Sequence, residues 1–450
     1  MTDHVVIVGG GITGLAAAWE ALEQGHRVTV HEAGPRFGGL ISTAPVDVPG
    51  PARLMVDEGA DAFLARVPDA LELCEQLGLG DQLCEPAVGR AMVHTADGLR
   101  WFPERSVLGV PTDVDALAST GLLSEAGLDR VRAEASISQG PPTADVAVGP
   151  FLRERFGDEL VDRVVGPLVG GISAGDIDQM SLFATTPQIA AAALEGGPLS
   201  ESLARRTAAT PPGPVFNGLR GGTGSLVSAL VDQLTRRGGD LRPGSALGRE
   251  DIGGLRADLL VLTTPAAVTS SLVAQVSPAA AEALASIETA SVALTTLAYP
   301  RAAFDWPSDA SGYLVPRSSG LFLTAVSWGS TKWPHWGDGS HAIVRASTGH
   351  RGDDRFVSMD DDAVVDAIRA DLELTCGLVA EPDGARVSRW IDGFHQYDVG
   401  HLDLVQRIQR DLDVDTAGRI RLAGASLHGV GIPACIRSGR SAVLGGPTVP

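Results

Sequence analysis

The ten residues "VVIVGGGITG" at positions 5–14 restrict the fold of this chain more than any other stretch. Val5, Val6, Ile7 and Val8 form a β-branched apolar run, suited to a strand buried on both faces. A glycine cluster ends the run, and Leu15, Ala18, Trp19 and Leu22 then recur at helical spacing. Strand, G-x-G-x-x-G and helix in that order read as a Rossmann-type dinucleotide turn. Gly9 permits the tight turn, Gly11 lets the backbone approach a pyrophosphate, and Gly14 lets the helix pack on the strand. The helix N-terminus offers the anion free N–H groups and a positive dipole end. Gly25 closes the helix and "RVTVHE" alternates as a second strand. Glu32 ends it, 18 residues past Gly14, where a carboxylate accepts from both ribose hydroxyls and repels a 2′-phosphate.

Bulk properties narrow the class. A chain of 450 residues is too long for one ordinary core. A net charge of −20 argues against nucleic acid and anionic membrane surfaces as main partners. The basic residues are 34 arginines and one lysine, Lys332, so no lysine cluster exists to act as a base. Cys74, Cys84, Cys376 and Cys435 show no C-x-x-C spacing and nothing resembling a metal cluster. With no signal segment at the N-terminus, a reducing cytoplasm is the expected setting. No apolar run approaches the ~18 residues of a membrane span, which leaves peripheral membrane contact open.

Along the chain, residues 112–210 are mainly helical in pattern and "TPPGPVF" at 210–216 is a breaker-rich link. "GTGSLVSALVDQL" reads as a helix and "DLLVLTTP" as a buried strand. Residues 291–349 turn to β texture, in "SVALTTLAYP", "GYLVPR", "LFLTAVSW" and "HAIVRAST". A helix at 360–375 follows, and the chain ends with a strand, a turn and a helix, "RIRLAGA", "SLHGVGIP" and "ACIRSGRSAVLGG". The expected organisation is a nucleotide-binding domain in three pieces (1–85, 211–280 and 386–450), a helical lobe with substrate contacts (86–210) and a β-rich substrate domain (281–385).

Two features favour FAD over NAD. "AGPRFGG" follows Glu32, with Arg36 able to reach the diphosphate or ribose and Gly38-Gly39 allowing close backbone passage. Gly424-Ala425 and the run Gly429 to Pro433 form a second glycine-rich strand-to-helix turn. A helix N-terminus there can face the flavin edge where negative charge develops on reduction. "GLRGGTGSL" at 218–226 lacks the preceding strand and the later acid needed for a nicotinamide site.

Whole segments then resemble the FAD-dependent protoporphyrinogen/coproporphyrinogen oxidase family of the flavin amine oxidase superfamily. The matching stretches are the glycine turn with its helix (8–22), "DEGADAFL" (57–64), "VLGVPTD" (107–113), "FLRERFGDELVDRVVGPLVGGISAGD" (151–176), "DLLVLTTPA" (258–266), "YLVPR" (313–317), "STKWPHW" (330–336), "QYDVGHLDLV" (396–405) and "LAGASLHGVGIPACIRSGR" (422–440). The resemblance implies α/β and α+β parts: a Rossmann-type FAD domain, a substrate domain with a sheet over the flavin, and a mainly helical lobe. It implies FAD contacts at Gly9, Gly10, Gly11, Ile12, Thr13, Gly14, Glu32, Ala33, Arg36, Gly39, Leu40, Gly59, Ala60, Leu247, Ala425, Val430, Gly431 and Ile432. It also implies oxidation of a porphyrinogen to a porphyrin in three two-electron rounds, hydride passing to the flavin and oxygen taking the electrons as peroxide.

Such chemistry needs little acid–base machinery; the protein must stack the ring and exclude water. Leu314 and Leu323 are candidates to sandwich a pyrrole, with ordinary core leucines as the alternative. Arg317 is a candidate propionate partner, with a plain surface arginine as the alternative. Ser173 stands where relatives often carry an aromatic, and no arginine adjoins Leu108, where animal and plant enzymes tend to have one. Both features agree better with bacterial members acting on coproporphyrinogen III, with product passed on to a chelatase. Protoporphyrinogen IX oxidation, another flavin amine oxidase activity and a non-catalytic FAD-fold escort protein are the competing readings.

Overall fold

The computed structural model describes residues 3–50, 53–137, 140–209, 213–303 and 307–445. Residues 210–212 of the breaker-rich link lie outside them. The N-terminal strand His4–Val8 is the centre of a five-stranded sheet in the order Asp240–Arg242, Arg27–His31, His4–Val8, Leu259–Leu262, Ile420–Leu422. Every pairing in it is parallel. Alternation splits the central strand between two cores. Val5 and Ile7 pack with the helices Ile12–Glu23, Gly224–Arg236 and Ile432–Leu444. Val6 and Val8 pack with Ala266–Val273, Pro278–Ala285 and His401–Thr416. A strand covered on both faces has no use for polar alternation, so the two inner strands His4–Val8 and Leu259–Leu262 are nearly continuous apolar runs, whereas Arg27–His31, Asp240–Arg242 and Ile420–Leu422, farther out in the sheet, carry polar residues.

The second sheet has seven strands: Gly384–His395, Thr289–Pro300, His341–Thr348, Leu323–Trp328, Gly312–Leu314, Met92–Thr95 and Gly98–Trp101, in that spatial order. Its outer face is closed by the helix Asp361–Cys376, whose Val364, Ile368 and Leu372 are buried against Leu297, Tyr313, Val326 and Trp328. Two of its members fall outside the span 281–385 expected for this domain. The hairpin Met92–Trp101 comes from the stretch read as helical; two four-residue strands are too short to show a period. The boundary at 385 falls inside the strand Gly384–His395, which pairs with Thr289–Pro300 from Ala298↔Gly384 to Thr289↔His395. Arg386, Arg389 and Asp392 gave that strand a polar look.

The helical lobe has the core Leu117, Leu152, Phe156, Leu160, Val164, Ile189 and Leu203. It ends one long helical run at Ser173, with Ala174 in the left-handed region at φ +51°. Inside the lobe lies a buried ion pair. Glu134 and Arg155 are 0% and 1% exposed, with Nη1–Oε1 at 3.6 Å. The Glu134 carboxylate also accepts from the Leu199 N–H and the Ser200 hydroxyl, capping the helix Leu199–Ala208, and Arg155 donates to the Gly197 carbonyl at 3.1 Å. Burying both charges costs more than their attraction alone returns, but removing one leaves the other buried without a partner. Glu134→Ala is therefore expected to destabilise the lobe by about 3–5 kcal/mol. Thermal unfolding should show a loss of several degrees, against less than one degree for the exposed pair Arg132–Asp129; equal shifts would refute the difference.

Candidate functional site

The glycine turn forms an open cradle. Gly9 has φ +108°, and a Cβ there would lie 2.7 Å from Thr263 Oγ1. A Cβ on Gly14 would lie 1.9 Å from the Gly9 carbonyl oxygen, so the helix rests directly on the turn. Gly11 differs: a Cβ there would have no protein atom within 4 Å. It is the N-cap of the 12-residue helix, and no side chain caps it. Free N–H groups, an aligned dipole and empty space coincide, as a pyrophosphate requires. Gly39 closes the other side, its Cβ position 3.3 Å from the Gly11 Cα, and Gly38 bridges Gly11 in parallel register. Ile12 and Thr13 are buried in the first helical turn.

Glu32 is at the expected strand end. Its carboxylate accepts from the N–H groups of Gly10 and Gly34, both at 2.7 Å. It therefore fixes the cradle's shape besides being available to a ribose. Arg36 sits otherwise than read from the sequence. Its guanidinium folds back to donate to the carbonyls of Phe37, Gly39 and Ile41, so it braces the loop instead of standing free for a diphosphate. Ala33 and Leu40 are exposed at the rim. Leu247 is half-buried, two residues past Ser245, whose N–H donates to the Glu32 carbonyl at 2.7 Å. Gly59 is packed against Leu40, its Cβ position 2.0 Å from that carbonyl oxygen, and Ala60 is exposed beside it.

The C-terminal turn reaches the same region: the nearest atom to a Cβ on Gly424 is Thr13 Oγ1, at 3.8 Å. Gly431 is the uncapped N-cap of the 13-residue helix Ile432–Leu444, and only Pro433 Cδ lies within 4 Å of its Cβ position. Tyr397 ties the turn together; its hydroxyl donates to the Ala425 carbonyl at 2.6 Å and accepts from the Gly429 N–H at 2.7 Å. Val430 is half-buried and Ile432 buried.

Over this region lies the inner face of the seven-stranded sheet. Register places Leu314, Ala325, Ser347, Leu294 and Ser388 side by side across five strands. All but Ser388 are half-buried, whereas their outward neighbours Tyr313, Val326, Ala346 and Ala293 are buried. The inner row is thus the open one: two leucines around two small residues. The next row on the same face, Gly312, Ser327, Arg345, Thr296 and Arg386, leans on the glycine-rich segment. Arg345 donates to the Gly59 carbonyl, and Arg386 Nε donates to Glu58 at 2.8 Å.

Of the four substrate-side candidates, Leu314 is on this inner face. Leu323 is not. A register shift between Leu323 and Ala325 breaks the alternation, pairing Leu323 with Thr348 and turning it into the outer core. No period-two reading can anticipate a bulge. Ser173 is buried at the end of the helical run, its hydroxyl 4.0 Å from Met180 Sδ. Arg317 is exposed and donates through Nη2 to the Gly175 carbonyl at 2.6 Å.

The model of the family described as flavin containing amine oxidoreductase matches residues 12–443. The chain belongs to that family. Among its relatives, the coproporphyrinogen III oxidase of Bacillus subtilis (strain 168) is 32% identical, over 98% of this chain and 97% of the relative. That of Propionibacterium freudenreichii subsp. freudenreichii is 35% identical, over 97% and 89%. A solved structure from Exiguobacterium sp. 255-15, provisionally named a protoporphyrinogen oxidase, is 33% identical with a TM-score of 0.86, covering 99% of this chain and 98% of that one. The resemblance to porphyrinogen oxidases read from the motifs is borne out, and the chain is a flavin-dependent oxidoreductase. The cradle at Gly11, the second uncapped helix end at Gly431 and the carboxylate of Glu32 all fit a flavin cofactor. Among the described residues, no helix is long and apolar enough to cross a membrane.

Sequence reasoning does not reveal two polar clusters that back the Gly59 segment and the C-terminal turn. Lys332, notable in sequence only for being unique, donates to Asp61 at 2.9 Å. Trp333 Nε1 donates to the same carboxylate at 2.8 Å, and Arg345 stands 3.9 Å away. Burial works to raise the Asp61 pKa, but Lys332 and Arg345 outweigh it and hold the carboxyl at about 2. The second cluster is a histidine group behind the C-terminal turn. His395 Nε2 meets Ser426 Oγ at 3.2 Å, His401 Nε2 meets the Leu427 carbonyl at 2.9 Å, and His401 stacks on Tyr397 at 3.9 Å. Burial first, and then His401, push His395 down to about 4; burial likewise takes His401 to about 4.

Two predictions follow from these contacts. Glu32→Ala removes a carboxylate that holds two loop N–H groups and stands where ribose hydroxyls arrive, each charge-assisted bond being worth ~1.5–3 kcal/mol at most. Flavin content on purification should fall together with melting temperature; full occupancy at unchanged affinity would remove Glu32 from the site. The histidines predict an acid sensitivity. Both are neutral when folded down to about pH 4, whereas the unfolded chain protonates them near 6.5. Their stabilisation is complete above pH 6.5 and is lost as pH falls toward 4, at roughly 2 kcal/mol each by pH 5. His31, His94, His335, His350 and His428 are also shifted down by burial and act in the same direction. Melting temperature should drop between pH 7 and 5, above the range where carboxylates titrate; a flat profile would contradict the burial assigned here.

Proposed function

We propose that this protein binds FAD and oxidises coproporphyrinogen III to coproporphyrin III, with oxygen as the electron acceptor and peroxide as its product. The observation that carries the reading is the match, at 32% and 35% identity across nearly the whole chain, to two bacterial coproporphyrinogen III oxidases. The inner face of the seven-stranded sheet supports it: Ala325 and Ser347 leave room for a flat ring, and Leu314 and Leu294 give it apolar edges. When bound, the flavin supplies hydride acceptance at N5. The helix ends at Gly11 and Gly431 would hold its diphosphate and ring edge, and Glu32 would accept from the ribose hydroxyls. The sheet and the turn at residues 173–175 shield the reacting edge from water, and alignment of donor carbon and acceptor carries most of the rate. Arg317 uses only Nη2 on Gly175 in the hydrogen bond found, which leaves the rest of its fork to a propionate.

A cytoplasmic setting, and handover of the porphyrin to a chelatase, belong to the same proposal. The second reading is protoporphyrinogen IX oxidation, favoured by the name of the Exiguobacterium structure. The two substrates differ by two propionates replaced by vinyls. A site with partners for four carboxylates should disfavour the ring lacking two, by about tenfold or more per unmatched group. Steady-state kcat/KM on both porphyrinogens, with peroxide counted at three per porphyrin, decides between them. A clear preference for coproporphyrinogen III is expected, and an equal or reversed preference would move the protein to the second reading.

A further inference from the structure

The residues 395–400 form a seam at which several parts of the molecule are stitched together. The Gln396 N–H donates to the Glu288 carbonyl at 2.9 Å, beside the first strand of the substrate sheet. The Tyr397 carbonyl accepts from the Ser181 N–H of the helical lobe at 2.8 Å. Asp398 accepts from Arg351 Nη1 through both oxygens, at 2.7 and 2.9 Å. The Gly400 N–H donates to Asp145 of the lobe at 2.8 Å.

Three side chains of this seam point two ways. His395 and Tyr397 hold the C-terminal turn, through Ser426, Ala425 and Gly429. Gln396 lies between them, is 3% exposed, and donates through Nε2 to the Ser173 carbonyl at 3.0 Å and to the Phe394 carbonyl at 2.9 Å. Ser173 opens the turn that abuts the open inner row, where Ala174 packs with Ala290, Val292 and Leu294. The turn's three successive carbonyls are each held by a different group. Ser173 accepts from Gln396, Ala174 from the Arg351 N–H at 2.8 Å, and Gly175 from Arg317 at 2.6 Å. Each of these side-chain bonds orders a rotamer-rich chain at an entropic cost, and together they fix the turn in place.

We propose that Gln396 and Tyr397 are positioning residues. They are two ends of one gauge that sets the gap between the flavin-edge turn at 425–431 and the substrate-side turn at 173–175. Hydride transfer needs reacting atoms about 3–3.5 Å apart, and a misplacement of about 1 Å costs on the order of a hundredfold in rate. Two turns from distant parts of the chain keep such a gap only when a common short segment holds both. Adjacent residues of one extended segment are a rigid spacer of that kind. The proposal rests on the reading of the site as flavin on one side and a reduced ring on the other.

The test compares the wild-type holoenzyme with Gln396→Met, which keeps length and burial but loses both donors, and with Tyr397→Phe, which keeps the ring stack on His401 but loses the hydroxyl. Stopped-flow measurement separates anaerobic flavin reduction by coproporphyrinogen III from reoxidation by oxygen. Both variants should slow reduction by about tenfold or more and leave reoxidation within about twofold. Amide hydrogen exchange supplies a readout independent of turnover: it should rise at residues 170–176 in Gln396→Met and at 425–431 in Tyr397→Phe. Unchanged reduction, or an equal fall of both half-reactions together with flavin loss, overturns the gauge; so does exchange that stays at the wild-type level. If Gln396→Met does not accumulate, Tyr397→Phe carries the same test from the other end. Failure of the wild-type enzyme itself to be reduced by the porphyrinogen would count against the substrate reading alone, and the exchange experiment would still decide the gauge.

Discussion

The architecture depends on two backbone contacts that admit no side chain. A Cβ on Gly14 would lie 1.9 Å from the Gly9 carbonyl oxygen, and one on Gly439 would lie 2.2 Å from the Thr13 carbonyl oxygen. The first helix is therefore pressed between its own strand turn and the last helix of the chain. That sandwich brings together two helix N-termini, at Gly11 and Gly431, from opposite ends of a 450-residue sequence. The lobe and the seven-stranded sheet are inserted between the pieces of a domain whose closure the two glycines make possible. An alanine at either position would have to push helix from strand or helix from helix, and the two anion-facing ends would no longer share one edge of the parallel sheet.

Around that edge the charges are spent on structure. Glu58 is held by Arg386, Asp61 by Lys332 and Arg345, and Asp398 by Arg351, all partly or fully buried. Arg36 binds three carbonyls of its own loop. These arginines fasten loops and join layers. A guanidinium suits both tasks for the same reason: a planar fork meets two acceptors at once and stays charged when buried. Arg317 is the exception that keeps the substrate argument alive, because it lies on the surface at the turn bounding the open row.

What could be read from the sequence follows from how local each signal is. The glycine turn, Glu32 and the C-terminal turn are short motifs whose local structure is carried by their immediate neighbours, and they stand as two strand-to-helix turns and an acid at a strand end. Leu323 takes the core alternative because the one extra residue between it and Ala325 inverts its facing. The partners of Arg36 in this structure are backbone carbonyls, which no residue-type argument reveals. Ala325 and Ser347 become significant only through register with Leu314 and Leu294, a relation between strands that sequence spacing does not encode. The hairpin Met92–Trp101 joins the sheet through a parallel pairing with Gly312–Leu314, more than 200 residues away.

The inner face also explains why no strong catalytic signature stands out in the sequence. The groups brought to it are aliphatic, hydroxyl or guanidinium side chains, and the nearby histidines are buried, neutral and bonded to the turn they support. A reaction driven by aromatisation and a redox cofactor asks the protein for distance, orientation and dryness, and those are properties of backbone placement. The buried polar side chains around the site accordingly act on backbone: Gln396 on Ser173, Arg345 on Gly59, and Tyr397 on Ala425 and Gly429.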